Sequence, residues 1–141
     1  MSEVNLNNDG RGTTDFELMK HAKRLKLRGF KGVFMRNELT GTPANHECGI
    51  VNLESSHQEG SHWVAYFKNG NEKYYIDAFG ARPPKEIVRY LKSPILYSTY
   101  EIQQFNSTNC GEWVLYFHNK LNKGEDFIDA VLETIEKHEI Y

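Results

Sequence analysis

The stretch HWVAYFKNGNEKYYID, residues 62–77, decides the fold. Two β-rich runs lie on either side of Asn69-Gly70, and Asn-Gly is the strongest short signal of a β-hairpin, because both central residues of a type I′ turn need a positive φ. A two-residue turn at Asn69-Gly70 predicts that His62 lies directly opposite Asp77. The Cβ atoms of such a pair are about 4.5–5.5 Å apart, within reach of an imidazole–carboxylate hydrogen bond.

The same register predicts two further cross-strand pairs, Tyr66 with Lys73 and Val64 with Tyr75. Because side chains alternate between the faces of a sheet, a slip of one residue would separate His62 from Asp77. The hairpin therefore makes a sharp prediction about where this histidine and this aspartate meet.

Weaker signals place other elements before the hairpin. Thr13 or Thr14 caps a helix whose inward residues recur at helical spacing: Phe16, Met19, Ala22 and Leu25. The lysines and arginines on its other face indicate a solvated surface. Residues 32–35 and 48–53 are predicted strands, separated by a loop that contains Gly41 and Pro43.

After the hairpin, Pro83-Pro84 starts a predicted helix that runs to Leu91, and residues 101–105 form a predicted strand. The next apolar run begins at Cys110 and is a predicted buried helix with Trp113, Val114, Phe117 and Leu121 inward. The last helix is predicted over residues 125–137, with Phe127, Val131 and Ile135 inward.

The composition is that of a single domain. The 141 residues are 39% hydrophobic and 26% charged, enough to bury a core. Residues 1–12 are predicted to be a flexible tail and residues 13–141 one domain. The start is polar and has no signal-peptide pattern, and the apolar runs are too short to cross a membrane. Two cysteines indicate a reducing, intracellular compartment, and a net charge of −2 predicts no general attraction to nucleic acid.

Cys110 is the strongest candidate nucleophile. A thiol at a helix N-terminus lies near the positive end of the helix dipole, which favours the reactive thiolate. Gly111 beside it lets a substrate backbone approach closely. The alternative is an inert cysteine packed in the core, and Cys110 taken alone favours that alternative.

Three more residues fit acyl transfer by a thiol. His62 would be the base, Asp77 would hold the imidazole in the right tautomer, and Gln104 with the Cys110 N–H would form an oxyanion hole. The alternatives are a surface His–Asp pair of no consequence and a glutamine that is an ordinary polar strand residue.

Other chemistries find less support. Cys48 lies in an apolar strand away from any helix dipole and is interpreted as a core residue. His46, Cys48, His57 and His62 could supply nitrogen and sulfur ligands, but their spacing matches no zinc pattern, so no metal site is predicted. The sequence contains no phosphate-binding glycine loop and no H-E-x-x-H motif.

Taken in order, His62-Trp63, Asp77-x-Phe79-Gly80, Gln104 and Cys110-Gly111 resemble a known family. The set is similar to the adenovirus maturation proteases (adenain-like) and the SUMO-specific ubiquitin-like proteases, over roughly residues 60–120. The flanking segments Phe30-Lys31-Gly32-Val33-Phe34 and Cys48-Gly49-Ile50 look most like the adenoviral-type proteases of Polinton/Maverick elements and virophages.

The resemblance implies an α+β cysteine-protease fold. In this fold a small mixed or antiparallel sheet packs on a central helix that carries the nucleophile at its N-terminus, with further helices on the flanks. It implies that Cys110 attacks, His62 is the base, Asp77 orients it and Gln104 stabilises the oxyanion. Trp63 and Gly111 are expected to contact substrate.

The implied activity is a thiol endopeptidase that cleaves polypeptide precursors, such as capsid proteins, beside glycine or other small residues. It is expected to act as a monomer in the host cytoplasm or nucleus, or in the virion. No cofactor is required by the sequence, although adenain is stimulated by DNA and by a viral peptide. Two alternatives stay open: an isopeptidase acting on SUMO or ubiquitin, and a non-catalytic peptide- or metal-binding module on the same fold.

Overall fold

The computed structural model describes residues 15–53, 62–77, 79–99 and 110–139. For residues 15, 110–113 and 134–139 it describes the backbone alone. Within these ranges the chain forms five strands and four helices. The predicted strand at residues 101–105 and the predicted tail at residues 1–12 lie outside the described residues.

The predicted hairpin is present, but its predicted register is wrong. Strand β3 (Trp63–Asn69) and strand β4 (Glu72–Ile76) pair antiparallel, with Asn69 opposite Glu72 and Tyr66 opposite Tyr75. The two turn residues are therefore Gly70 and Asn71, and each partner is displaced by two residues from the prediction.

The turn itself explains the displacement. Gly70 has a φ of +62° and occupies the first of the two central positions, which is where a type II′ turn requires glycine. The Gly70 N–H also donates to the Asn45 carbonyl oxygen at 2.8 Å, so a segment distant in sequence holds this turn in place. Sequence alone does not show that contact.

The hairpin forms the centre of a mixed sheet. Strand β1 (Phe30–Met35), strand β2 (His46–Asn52) and strand β5 (Leu96–Tyr97) complete a sheet of order β1-β2-β3-β4-β5. The outer pairs β1–β2 and β4–β5 are parallel, and the inner pairs are antiparallel. This architecture confirms the predicted α+β class, although the two-residue strand β5 was not predicted.

Four helices pack on this sheet: α1 (Asp15–Leu25), α2 (Lys85–Leu91), α3 (Cys110–Asn122) and α4 (Phe127–Glu139). One apolar cluster joins α1, α3 and α4 to the side chains of one sheet face, including Trp63, Ala65 and Phe67. A second cluster joins α2 to the opposite face through Tyr66 and Tyr75. The sheet is thus covered on both faces, with α3 in the larger core.

The apolar stripe of α1 differs from the prediction in the first turn of the helix. Phe16 is 74% exposed and Met19 is 38% exposed, whereas Leu18 and Ala22 are buried. The prediction is confirmed for Ala22 and for Leu25, which packs against the core, and it is wrong for Phe16 and Met19. Packing buries Leu18 in the first turn in place of these two residues.

The prediction for α3 holds for the side chains that the structure describes. Val114, Phe117 and Leu121 are buried, and Gly124, with a φ of +91°, follows the helix end. In α4 the predicted inward residues Phe127 and Val131 are also buried. The side chains of Trp113 and Ile135 lie outside the described part.

A buried polar network attaches α2 to the sheet. The Glu47 carboxylate accepts hydrogen bonds from the hydroxyls of Tyr66 (2.7 Å) and Tyr90 (2.5 Å) and from the Ala44 N–H (2.9 Å). Burial opposes ionisation, but these donors and nearby Lys31 outweigh it and lower the pKa of Glu47. A buried carboxylate is tolerated here because its oxygens are hydrogen-bonded.

Among the described helices, none combines the length and the apolar character needed to cross a membrane.

Candidate active site

His62 and Asp77 form the hydrogen bond that the hairpin predicts. The His62 Nε2 lies 2.9 Å from Asp77 Oδ1, and the side chains are 18% and 1% exposed, respectively. The carboxylate is therefore buried while the imidazole still reaches solvent. Such an arrangement lets the imidazole exchange protons while the carboxylate stays fixed.

The contact survives the error in register for a simple geometric reason. If the observed pairing continued beyond β4, Asp77 would lie opposite Val64, so His62 is a diagonal neighbour. A shift of two residues keeps each side chain on the same face, and a long side chain can reach a diagonal neighbour. A shift of one residue would have broken the pair.

Asp77 is held by the turn that follows it. Its Oδ1 accepts the backbone N–H of Phe79 at 2.9 Å, and its carbonyl oxygen accepts the N–H of Gly80 at 2.9 Å. Gly80 has a φ of +71°, a conformation that glycine adopts without strain. The Asp-x-Phe-Gly spacing thus has a local role, because it orients the carboxylate from its own backbone.

The hydrogen bond also fixes the tautomer of the histidine. An ionised carboxylate can only accept, so the neutral imidazole must carry its proton on Nε2 and a lone pair on Nδ1. Nδ1 is then the ring atom that can take a proton from a nucleophile. This is the division of roles that a base and its orienting carboxylate need.

The other predicted site residues are described only in part. Cys110 is the first residue of α3 and Gly111 the second, which confirms the predicted helix start, while the Cys110 side chain lies outside the described part. Gln104 lies outside the described residues. Trp63 is 3% exposed in the core cluster, so its expected contact with substrate stays a prediction.

Cys48 is the buried core cysteine that the sequence indicates. It is fully buried in β2, and its thiol donates to the Arg28 carbonyl oxygen at 3.7 Å. Burial, with a smaller contribution from the Glu47 charge, raises the pKa of this thiol to about 12. Cys48 is therefore a neutral thiol at physiological pH and a poor nucleophile.

The described residues contain no group of three or more His, Cys, Asp or Glu side chains that could hold a metal ion. His46 lies 3.4 Å from the Asn69 side-chain oxygen and packs edge-on against Phe67. His62 binds Asp77, and Cys48 binds a backbone carbonyl. His57 lies outside the described part.

The sequence pattern does not single out His118, a fully buried histidine within α3. Its Nε2–H donates to the Gly49 carbonyl oxygen at 2.7 Å, and burial lowers its pKa to about 4 despite that hydrogen bond. The β1–β2 register shifts between Phe30 and Gly32, beside Gly49. His118 fixes α3 to the sheet at this irregularity, which sequence periodicity does not reveal.

Only the comparison with solved structures identifies the fold. No protein-family model matches this chain, and no curated protein matches it. A crystal structure of the ASFV pS273R protease matches with a TM-score of 0.63 at 17% identity, covering 94% of this chain and 68% of that one. The chain has this protease fold. A selenomethionine form of the same protease matches with a TM-score of 0.55 at 15% identity, covering 94% and 69%.

The similarity to these two structures is a similarity of fold. At this level of identity it establishes the shared fold, and the chemistry has to be argued from the side chains. The geometry supplies an imidazole hydrogen-bonded to a buried carboxylate, and it places a cysteine at the start of α3.

Proposed function

We propose that this protein is a cysteine endopeptidase with Cys110 as its nucleophile. The observation that carries the proposal is the His62–Asp77 hydrogen bond of 2.9 Å, with a buried and oriented carboxylate, in a chain that has a protease fold. In an ordinary surface ion pair the carboxylate is exposed to solvent. Here the Asp77 side chain is only 1% exposed and accepts a second hydrogen bond, from the Phe79 N–H.

In the proposed reaction His62 Nδ1 takes the thiol proton, and the Cys110 sulfur attacks the carbonyl carbon of the scissile bond. His62 then gives that proton to the leaving amine as the C–N bond breaks, which leaves a thioester. A water molecule attacks the thioester carbonyl and loses a proton to His62; the C–S bond then breaks, and His62 returns the proton to the leaving thiolate, which releases the acid and restores the thiol. Asp77 keeps the proton of Nε2 in place throughout.

Two further features support stabilisation of charge in this reaction. Cys110 begins a helix of 13 residues, so the dipole and the N–H groups of its first turn, which have no partner within a helix, favour both the thiolate and an oxyanion. Gln104 is proposed as the side-chain donor to the same oxyanion, alongside the Cys110 N–H. One such donor contributes a factor of about 10²–10³ in rate.

The proposed substrates are polypeptide precursors of viral or virus-like particles, cleaved beside glycine or other small residues. This part rests on the motif resemblance to adenoviral-type proteases, including those of Polinton elements and virophages. Gly111, next to the nucleophile, supports the choice, because two backbones can approach closely only where side chains are small.

The decisive experiment compares the two cysteines of one molecule. The protein is alkylated with iodoacetamide at about pH 6.5, where an ordinary thiol with a pKa of about 8.5 is almost entirely protonated. Mass spectrometry then gives the labelling rate of Cys110 and of Cys48 separately. Cys48 is an internal control for a buried, neutral thiol, and His62→Ala is the matched variant.

Fast labelling of Cys110 that slows in His62→Ala would support an activated nucleophile. Slow labelling of Cys110 in both proteins would overturn the proposal. A panel of ubiquitin and SUMO probes with C-terminal electrophiles then decides the substrate class. Strong labelling by a ubiquitin or SUMO probe would replace the endopeptidase with an isopeptidase, whereas cleavage of glycine-containing peptides without such labelling would support the proposal.

A further inference from the structure

Phe79 is a large apolar side chain that remains 49% exposed beside the candidate active site. Its ring centroid lies 4.7 Å from that of the His62 imidazole, and the two planes meet at 79°. This is the edge-to-face geometry that aromatic pairs prefer. The ring is thus in contact with the proposed base while about half of the residue still faces solvent.

The backbone of the same residue holds the other partner. The Phe79 N–H donates to Asp77 Oδ1 at 2.9 Å, and this is the oxygen that accepts the His62 Nε2–H at 2.9 Å. One residue therefore contacts the imidazole with its ring and the carboxylate with its N–H. Both members of the pair are aligned from a single position in the chain.

The ring contact has two physical consequences. A partly exposed imidazole just before a strand can rotate away from its carboxylate, and an aromatic pair of this geometry biases such an equilibrium by roughly two- to tenfold. The ring also keeps water from part of the imidazole, whose side chain is 18% exposed, and excluding water strengthens the hydrogen bond to Asp77.

We propose that Phe79 is a positioning residue whose ring holds the His62 imidazole in the orientation that bonds Asp77. The effect of this orientation on the reactivity of Cys110 rests on the proposed protease function. The orientation of the imidazole itself does not, so the positioning role and the protease function can be tested separately. Half-exposure of the ring indicates that burial in the core is not what Phe79 contributes.

The test uses the full chain and three substitutions. Phe79→Ala removes the ring and keeps the backbone N–H that holds Asp77, so it isolates the ring contact. Phe79→Leu keeps apolar volume without a ring and carries the test if the alanine variant does not fold. Leu132→Ala, which truncates another exposed apolar side chain (58% exposed, on α4), is the matched control.

The first readout is the downfield proton resonance of the His62 imidazole N–H in water, which is visible only while the proton is hydrogen-bonded and slow to exchange. We expect its exchange with water to accelerate roughly two- to tenfold in Phe79→Ala and Phe79→Leu, and to stay unchanged in Leu132→Ala. The second readout is the Cys110 alkylation rate, which is expected to fall by the same factor.

Exchange of the His62 proton at the wild-type rate in both Phe79 variants would overturn the positioning role. So would a rise in KM for a peptide with both readouts unchanged, since Phe79 would then only contact substrate. A third outcome separates the two proposals. If the His62 proton exchanges faster in the Phe79 variants, but Cys110 of the wild type is alkylated no faster than Cys110 of His62→Ala, the positioning role is supported and the proposed function is overturned.

Discussion

His118 predicts how the stability of this protein depends on pH. The imidazole is completely buried in α3, its Nε2–H donates to the Gly49 carbonyl oxygen at 2.7 Å, and within the described residues Nδ1 has no hydrogen-bond partner. Protonation would add a charge and a second N–H to that buried site. The perturbation is therefore a fall in pH, with His118→Gln as a variant that keeps a side-chain N–H donor and cannot take up a proton.

The magnitude follows from the two protonation states. Burial lowers the pKa of His118 from 6.5 to about 4 in the folded protein. Between these values the unfolded chain binds the proton and the folded chain does not, so stability decreases as the pH falls. The contribution of neutral, buried His118 to the free energy of unfolding is fully present above pH 6.5 and is lost as the pH falls to 4. At about 1.4 kcal/mol per pH unit, the loss amounts to about 3 kcal/mol.

The assay is urea unfolding of the wild type and of His118→Gln, followed by tryptophan fluorescence at several pH values between 7 and 4. The two proteins share every other ionisable side chain, so the difference between the two curves isolates His118. A loss of about 3 kcal/mol is large against the 5–15 kcal/mol that stabilise a typical domain.

We expect the free energy of unfolding of the wild type to fall more steeply with decreasing pH than that of the variant, so that the two curves converge or cross. Parallel curves from pH 7 to pH 4 would refute the reasoning. They would show that the folded protein accommodates the protonated imidazole, and hence that burial at this position does not exclude charge.

Three further substitutions have defined outcomes. Asp77→Asn should fold normally and lower the rate of peptide hydrolysis on the order of 10²–10⁴-fold, because an amide can impose the wrong tautomer on His62; a near-normal rate would contradict an orienting role. Gln104→Ala should lower kcat about 10²–10³-fold with KM little changed, and a change in KM alone would place the glutamine in substrate binding. Gly49→Ala should cost about 1–3 kcal/mol in urea unfolding, because its Cβ would lie 2.5 Å from the Tyr66 ring, which is fully buried; wild-type stability would show that the ring can move aside.

Local sequence signals predicted the elements that carry the site. The β-rich runs around Asn-Gly predicted the hairpin, and the turn residues before Cys110 with the apolar spacing after it predicted α3. These signals work because a hairpin turn and a helix N-terminus depend on residues that are close together in the chain. The neighbouring residues likewise distinguished the two cysteines: Cys48 lies in an apolar run and is buried in a strand, whereas Cys110 follows turn residues and begins a helix.

Local signals of the same kind gave wrong or incomplete predictions where the structure depends on contacts between residues that are distant in the sequence. The hairpin turn is held by a hydrogen bond from Gly70 to the distant Asn45, and the inward residues of the first turn of α1 depend on how that helix packs against the core. The two-residue strand β5 exists only by pairing with β4. A short segment carries too little pattern of its own to reveal such a partner.

The sequence by itself determined which side chains can meet. The side-chain period of a strand is two, so His62 and Asp77 share a face in any register that differs by an even number of residues, and the pair survived a prediction that was wrong by two. The tertiary structure alone decided which polar groups are buried and what holds them: Glu47 under two tyrosines, His118 on the Gly49 carbonyl, and Phe79 against the His62 ring. Burial is a property of packing between distant segments, and packing sets the pKa values and the orientation on which the proposed chemistry depends.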